Sequence, residues 1–566
     1  MSKMKNNRGF TRLIRKLLLL GLAGALCLAV PAPARAEVRK DVRLADPATG
    51  AEIRGYYREK KNEYTFFLPS GLSADALQLL LPDGLPISLD GQPLQNGDSA
   101  AGFTVGEQHQ LSDGRRSYGC TLMQSANIAS LFLTTESGSN AYVNRRKGNA
   151  ETGTFAYYLP TGRMAAGGNL EHIRGRGHAS FQYDKKSYQI KLEKKTSLGG
   201  MEKAKKWVLV GNPLDRSLLR NKITFDMARA AGLTVTSESE FVDLYMNGEY
   251  RGTYLLIEKV EIGKGRVDIR DLEKATEQAN GVNKLDVYRR IGNNKYKRNA
   301  KKYYDIPVDP DDITGGYLIE YEGYNWRYSD AESAIGTRRG AALTIKSPKY
   351  TSAAQMAYIS DLLQRFEDAI NTEEGIDPAS GMHYTQLADL DSLVRRYLVE
   401  EISKNYDGNS SSQYFYKPAD SQSNLLYGGP AWDYDSSYGS YATRKGAAVL
   451  KPAGFYVNAS SQWQHWWPAL YRQPDFAEAS ASIYRQVFAP LLDELLGRAD
   501  PVHLRSLEQL ERHIAASATM NFTRWPIDYV KNSAGIKLAT THAGNVDILA
   551  DFIAQRKQFL DEAWAE

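Results

Sequence analysis

The chain is poor in cysteine and histidine, with two and eight of them among its 566 residues. No two histidines stand four residues apart and no His-Glu-x-x-His motif occurs, which argues against a zinc hydrolase. Gly-x-Ser-x-Gly, His-Arg-Asp, Asp-Phe-Gly and Gly-Lys-Ser/Thr are also missing from the sequence. These absences exclude a serine-hydrolase elbow, an orthodox protein kinase and a P-loop enzyme.

Residues 1–36 predict a secretory signal peptide. A basic start is followed by an apolar run from Leu17 to Val30 and by Ala34-Arg35-Ala36, a small-x-small cleavage site. The apolar run is too short to span a membrane, which needs about 20 residues. Cleavage removes one of the two cysteines and leaves Cys120, so an internal disulfide is excluded. The mature chain is expected to be secreted or at the cell surface, without a transmembrane helix.

The basic composition of the full chain comes from this leader. Its removal takes away seven Lys and Arg and no acid, leaving 64 basic and 66 acidic residues. The mature protein is therefore nearly neutral, and its charge gives no reason to expect a nucleic-acid partner.

Two acidic clusters carry the strongest chemical signal. Asp407 precedes the strand-like run Gln413–Lys417, and Asp433 and Asp435 follow a second strand-like run that begins at Leu425. A hairpin between them would bring these carboxylates together, and crowded carboxylates need a cation, a proton or a substrate to offset their repulsion. Phosphoryl transfer meets that need, with one Asp as base and another holding magnesium. A solvated acidic turn is the alternative.

The organisation of the chain predicts two domains after the leader. Short alternating runs divided by Pro and Gly turns favour a small β-sandwich over 37–126. From 127 to 566 strands and helices mix, with a tight Asn-Gly hairpin over 241–257 and a largely helical C-terminal region. Apolar periodicity predicts helices at Ser217–Ala231 and over 356–370 and 387–402. The fold class is therefore α+β.

An ordered set of motifs resembles the spore coat protein H (CotH) kinase family. The resemblance covers about residues 127–490 and rests on segments that match in type and order: Ile173–Ser180, Lys185–Leu192, Lys205–Leu209, Leu218–Lys222, Tyr254–Lys259, Gly315–Glu320, Asn405–Asp407 and Trp432–Asp435. Members are secreted or surface proteins with an atypical protein-kinase-like fold. The resemblance implies a bilobal catalytic module that transfers the ATP γ-phosphoryl group to Ser or Thr of a surface or spore coat protein.

The resemblance also implies site residues. Asp407 would be the base, and Asp433 with Asp435 would hold Mg²⁺. The remaining implied residues would contact ATP: the phosphate clamps Lys191, Arg174 and Arg176, with Gly175 and Gly177 for close backbone approach, and Glu258 near the adenine. Ser412 stands where kinases have a metal-binding Asn.

Other functions remain open from the sequence alone. A non-catalytic surface scaffold or adhesin could keep the fold without the chemistry, since ATP is scarce outside cells and Ser412 is a poor metal ligand. Paired carboxylates could also serve glycoside hydrolysis, with only composition in favour. The segment 284–302 carries eight basic residues against Asp286 and is either a solvated insertion or a platform for an acidic protein or an anionic polymer.

Overall fold

The computed structural model describes residues 42–565, except 83–85, 178–179, 324, 444–446, 460–465, 528–535 and 537. The predicted signal peptide lies outside the described residues. Within the described part, no helix is long and apolar enough to cross a bilayer.

The N-terminal part consists of two small sheets. Their nine strands are β1 (Arg43–Ala45), β2 (Glu52–Arg54), β3 (Tyr56–Arg58), β4 (Glu63–Leu68), β5 (Gln78–Leu80), β6 (Ser88–Leu89), β7 (Gln92–Pro93), β8 (Gln108–Ser112) and β9 (Ser117–Gln124). One sheet has the order β2-β1-β5 and the other β3-β4-β9-β8-β6-β7. The sheets share an apolar core that includes Phe66 and Leu79, because alternate side chains point to one face of each strand.

A closed barrel follows. Its strands are β10 (Ala129–Thr135), β11 (Ala150–Tyr158), β12 (Met164–Arg176), β13 (Ser187–Thr196), β14 (Ala204–Val210), β15 (Ser239–Met246) and β16 (Glu249–Glu258). The order around the barrel is β10-β11-β12-β13-β14-β16-β15, and parallel pairing of β10 with β15 closes it. The predicted Asn-Gly hairpin is confirmed as β15–β16, with φ of 54° at Asn247 and 78° at Gly248.

A second large sheet carries the predicted acidic hairpin. Its strands are β17 (Arg290–Ile291), β18 (Lys301–Tyr304), β19 (Tyr317–Tyr321), β20 (Ser333–Gly336), β21 (Ala342–Ser347), β22 (Gln413–Lys417) and β23 (Tyr427–Gly428). Their order is β17-β18-β20-β21-β19-β22-β23. Pairing of β22 with β23 confirms the hairpin between Asp407 and Asp433.

Helices pack on the barrel and on the second sheet and form the C-terminal region. They are α1 (Ala141–Arg145), α2 (Arg220–Ala230), α3 (Leu272–Ala279), α4 (Asn325–Asp330), α5 (Ala353–Ala369), α6 (Leu390–Ser403), α7 (Trp466–Tyr471), α8 (Pro474–Ile483), α9 (Ala489–Leu495), α10 (Leu507–Arg524) and α11 (His542–Ala563). The three helices predicted from periodicity are confirmed as α2, α5 and α6. The predicted α+β class is likewise confirmed.

The N-terminal sheets pack against the barrel and α10. The ring of Phe67 lies 4.6 Å from that of Tyr250, and Tyr245 donates a hydrogen bond to the carbonyl of Phe67 at 3.0 Å. Ser125 and Ser517 share a buried hydrogen bond of 2.7 Å. The beginning of the chain is thus joined to a C-terminal helix by packing and by polar contacts.

Candidate active site

A polar cavity of about 900 Å³ opens between the barrel and the second sheet. The barrel contributes Arg174 and Arg176 from β12 and Gln189 from β13, and the sheet contributes Glu320 from β19 and Tyr414 from β22. Two loops, at 406–412 and 432–443, also line the cavity and are named the floor loops. Clefts of this size between structural units are where proteins most often bind small molecules.

The first loop places Asp407. Helix α6 ends at Ser403, and Lys404 takes a left-handed conformation with a φ of 43°, which turns the chain toward the cavity. The side chain of Asn405 accepts a hydrogen bond from the Asp407 backbone amide at 3.2 Å. Ser410 Oγ donates to Asp407 Oδ1 at 3.2 Å, which fixes the carboxylate. Asp407 is half-buried and lines the cavity.

The second loop places Asp433 and Asp435. Asp433 has a φ of 71°, a strained value for a residue with a side chain. Two amides hold this conformation: Asn405 Nδ2 donates to the Asp433 carbonyl at 3.3 Å, and Asn221 Oδ1 accepts from the Tyr434 backbone amide at 2.8 Å. Since Asn221 lies in the first turn of α2, the helix positions the acidic loop.

A buried ionic cluster on α6 holds the Asp407 loop and the Asp433 loop in place. Arg396 pairs with Glu400 on α6, and both side chains are fully buried. Tyr434, between the two cavity acids in sequence, donates from its hydroxyl to Glu400 Oε1 at 2.6 Å. The backbone amide of Asn405 donates to the Glu400 carbonyl at 3.4 Å. Glu400 therefore joins the Asp407 loop to the Asp433 loop.

Desolvation raises the pKa of all three acids, and neighbouring carboxylates add to the shift of each. Burial and then the charge of Asp433 raise the pKa of Asp407 to about 6. Asp433 keeps an exposed surface, yet desolvation by the surrounding protein raises its pKa, although the Arg176 guanidinium opposes the increase. Burial, Asp433 and Asp407 raise the pKa of Asp435 well above its usual range. Such crowding is offset when a cation binds.

The acids suit a magnesium ion that arrives with phosphates. Among the described residues, no three His, Cys, Asp or Glu side chains are grouped to hold an ion by themselves. Magnesium rarely uses an all-protein cage; it is usually bound by one or two carboxylates together with substrate phosphates and water. Asp433 and Asp435 supply that pair, so the residues fit the ion.

Basic side chains face the acids from the barrel. Arg174 donates to Gln189 Oε1 at 3.3 Å, and the guanidinium of Arg176 lies 5.2 Å from the ring centroid of Trp432. Burial lowers the pKa of Arg176 while the charge of Asp433 opposes that change. The guanidinium groups of Arg174 and Arg176 thus line the same cavity as the carboxylates. Guanidinium groups bind phosphate through strong charge-assisted hydrogen bonds.

Packing requires glycine at Gly175 on β12 and at Gly177 just after it. A Cβ on Gly175 would lie 2.2 Å from the ring of Phe181. A Cβ on Gly177, which has a φ of 96°, would lie 2.0 Å from Ser180 Oγ. Both glycines line the cavity. Packing against Phe181 and Ser180 therefore gives a reason for both glycines, and their close approach to a phosphate stays a prediction.

Two predicted site residues lie elsewhere. Lys191 is not among the residues that line the cavity, and its ammonium pairs with Glu171 of the neighbouring strand β12. Glu258 at the end of β16 is also outside the cavity and faces Arg266, whose Nε is 3.9 Å away. The structure does not bring Lys191 or Glu258 into the cavity, and nearby charges engage both side chains. The phosphate role of Lys191 and the adenine role of Glu258 stay predictions.

Residues not predicted from the sequence complete the cavity. Glu320 pairs with Lys346, and although burial opposes it, the Lys346 ammonium lowers the pKa of Glu320. Burial and then Glu320 raise the pKa of Glu322 to about 9. Arg327 of α4 lies 3.6 Å from Glu322 and also lines the cavity. The sequence signals for this group were the acid inside the apolar strand Tyr317–Tyr321 and the family-like segment Gly315–Glu320 that ends on it.

Ser412 stands where kinases have a metal-binding Asn, and its side chain and that of the nearby Asn409 point in different directions. Ser412 lines the cavity with a φ of 60° and donates a hydrogen bond to Asp433. Asn409 points away, because its side chain donates to the Val457 carbonyl at 2.9 Å. The neutral oxygen beside Asp433 is thus that of Ser412.

The fold and the cavity define an α+β protein in which a barrel and a helix-covered sheet enclose opposed basic and acidic groups. A family model described as CotH kinase protein matches residues 173–560. Because the match covers more than half of the chain, the protein belongs to that family, and the family predicted from the motifs is confirmed. The match begins later and ends later than the resemblance seen in the motifs. No curated protein matches the chain.

Proposed function

We propose that this protein is an atypical protein kinase that transfers the γ-phosphoryl group of ATP to Ser or Thr of a surface or coat protein. The observation that carries the proposal is the convergence of Arg174 and Arg176 with Asp407, Asp433 and Asp435 in one cavity. Basic groups for phosphates, an acidic pair for a metal and a further carboxylate are what phosphoryl transfer requires.

In the proposed reaction, Arg174 and Arg176 bind and orient the phosphates. The acceptor hydroxyl oxygen forms a bond to the γ-phosphorus as the bond to the β,γ-bridging oxygen breaks, and the hydroxyl proton passes to Asp407. A carboxylate with a pKa of about 6 is mostly ionised at neutral pH and remains basic enough to accept that proton. Magnesium, when bound, supplies positive charge to the phosphates, and Asp433 with Asp435 would hold it.

The bilobal arrangement is part of the same proposal. One lobe would be the barrel and the other the second sheet with its helices, with the two floor loops between them. The domain assignment of 37–126 and 127–566, the signal peptide at 1–36 and secretion belong to the proposal as well. In support, no residue before Arg146 is among those that line the cavity in the described part of the chain.

A surface scaffold without catalysis is the competing function, and the pairing of Lys191 with Glu171 favours it. The thermal unfolding midpoint with and without ATP and magnesium separates the two. A ligand that binds only the folded state at about 100 times its Kd adds about 2.7 kcal/mol of stability. A kinase shows a higher midpoint, whereas an unchanged midpoint over millimolar ATP would contradict the proposal.

The catalytic step has its own test in Asp407→Asn. The variant should bind ATP and magnesium nearly as wild type does and lower phosphoryl transfer to a Ser-rich protein about 10²-fold or more, because it lacks the base. Asp547→Asn, on an exposed position of α11, is the matched control and should transfer normally. Equal loss of ATP binding and transfer in Asp407→Asn would make this residue a metal ligand instead.

A further inference from the structure

An exposed cationic surface lies on the segment that precedes β18. No Asp or Glu occurs from residue 287 to residue 304. We define the basic platform as its exposed cations Arg289, Arg290, Lys295, Lys297, Arg298 and Lys301. The proposed reaction uses none of them, and none lines the cavity.

Most of the platform is not neutralised by the protein. Arg289 pairs with Asp305 at 3.3 Å and Arg290 with Glu332 at 3.9 Å. Lys295, Lys297, Arg298 and Lys301 make no ion pair within 4 Å among the described residues. Four cations within seven residues repel one another, and an anionic partner would relieve that repulsion.

The platform is held in place. Tyr296, in its middle, donates from its hydroxyl to the Gly340 carbonyl at 2.5 Å, and its ring lies 5.7 Å from that of Tyr328 in an edge-on contact. The neighbouring Lys302 is buried and donates to the carbonyls of Tyr328 at 2.7 Å and Ser329 at 3.2 Å. These contacts attach the platform to α4.

Helix α4 connects the platform to the cavity. It carries Arg327, which lines the cavity, one residue before the tyrosine that contacts the platform. Strand β17 at the platform is also an edge strand of the second sheet. An edge offers unpaired backbone groups to an extended polypeptide, which a polysaccharide or polyphosphate cannot match in the same way.

We propose that the basic platform is a docking site for an acidic segment of the protein acceptor, which it holds beside the cavity while the acceptor Ser or Thr enters. This inference rests on the proposed kinase function. Glu- and Asp-rich polypeptide is the partner because its carboxylates match the uncompensated cations and its backbone can pair with the short edge strand β17. Docking raises the effective concentration of the acceptor hydroxyl and leaves the chemical step unchanged.

Direct binding tests the platform without requiring catalysis. Lys295→Glu, Lys297→Glu, Arg298→Glu and Lys301→Glu are combined in one full-length variant. The control combines Lys60→Glu, Lys61→Glu, Lys194→Glu and Lys195→Glu, four exposed lysines away from the platform. The probe is a fluorescent Glu-rich peptide without Ser, Thr or Tyr, followed by anisotropy. Each exposed ion pair changes affinity about 1.4- to 5-fold, so the platform variant, with four pairs lost, should bind about 4-fold to several hundredfold more weakly.

The outcomes of the binding experiment separate the partners. Weakened binding in the platform variant, normal binding in the control and loss of binding at high salt support the proposal. Equal affinity of both variants overturns it. Tight platform-dependent binding of poly(glycerol phosphate) with no binding of the Glu-rich peptide also overturns it, in favour of an anionic polymer.

Kinetics then distinguish docking from catalysis. With a Ser peptide that carries an acidic extension, the platform variant should raise the peptide KM by the same factor as Kd, with kcat and the ATP KM unchanged. With a short neutral Ser peptide it should equal wild type. A reduced kcat on both peptides overturns the docking role. Absence of transfer by wild type, with platform-dependent peptide binding intact, refutes the kinase function while the acidic-segment site remains.

Discussion

Replacing Asp407 with Asn should make the ligand-free protein more stable at neutral pH. Its pKa, raised from 3.8 to about 6, means that the ionised carboxylate costs about 3 kcal/mol of folding free energy, at about 1.4 kcal/mol per tenfold change in proton affinity. Asparagine is uncharged and can still accept the hydrogen bond from Ser410 Oγ. The expected gain is therefore about 1–3 kcal/mol at pH 7.

The stability gained by Asp407→Asn should depend on pH in a characteristic way. The folded pKa lies above the unfolded one, so the folded state holds the proton more tightly and wild type loses stability as the pH rises from about 4 to about 6. Below about 3.8 the group is protonated in both states and costs nothing. The advantage of Asp407→Asn should thus fall to about half at pH 5.

Urea unfolding of wild type and Asp407→Asn at pH 7 and pH 5 measures the stability gained at neutral pH and its decrease at lower pH. Asp547→Asn removes an exposed carboxylate of α11 and should leave the free energy of unfolding unchanged at both pH values. The reasoning fails if Asp407→Asn is less stable than wild type at pH 7, or if its gain is the same at pH 5. Either result would mean that burial and the charge of Asp433 do not raise the pKa of Asp407.

Four further substitutions test the cavity. Asp433→Asn should strongly weaken the binding of ATP with magnesium measured by calorimetry, because it removes one of the two carboxylates assigned to the ion. Undiminished affinity would remove Asp433 from the metal site. Arg176→Ala should weaken ATP binding about 10- to 100-fold through loss of a charge-assisted hydrogen bond. Lys191→Ala should leave ATP affinity unchanged. If Lys191→Ala instead weakened ATP binding more than Arg176→Ala, Lys191 would be the phosphate-binding residue. Asn221→Ala should cost about 1–3 kcal/mol in urea unfolding, since it leaves the buried Tyr434 amide without a partner; an unchanged midpoint would contradict its role in the acidic loop.

Local patterns in the sequence were sufficient for much of the fold. Apolar periodicity located α5 and α6, and Asn247-Gly248 located a hairpin, because helix faces and tight turns depend on neighbours in the chain. Closure of the barrel was not predictable. It depends on parallel pairing of β10 with β15, more than a hundred residues apart in sequence, which leaves no local signal.

The candidate site divides in the same way. The hairpin β22–β23 brings Asp407 near Asp433, so their proximity follows from a local turn. Lys191 follows Gln189 on the same face of β13, yet Gln189 lines the cavity and Lys191 does not. Glu171 on the adjacent strand β12 pairs with Lys191 and holds it outside the cavity. Which residue lies opposite Lys191 depends on strand register, and register cannot be read from one segment of sequence. Arg327 was hidden for a similar reason, since only tertiary packing directs α4 toward the cavity.

The barrel has a consequence for how the protein can be divided. The family match starts at residue 173, inside β12 (Met164–Arg176). A recombinant fragment cut there would lack β10, β11 and most of β12, and β13 and β15 would each be left with an unpaired edge. Such edges invite association between chains. The region by which the family is recognised in sequence is therefore smaller than the unit that must be expressed for the domain to fold.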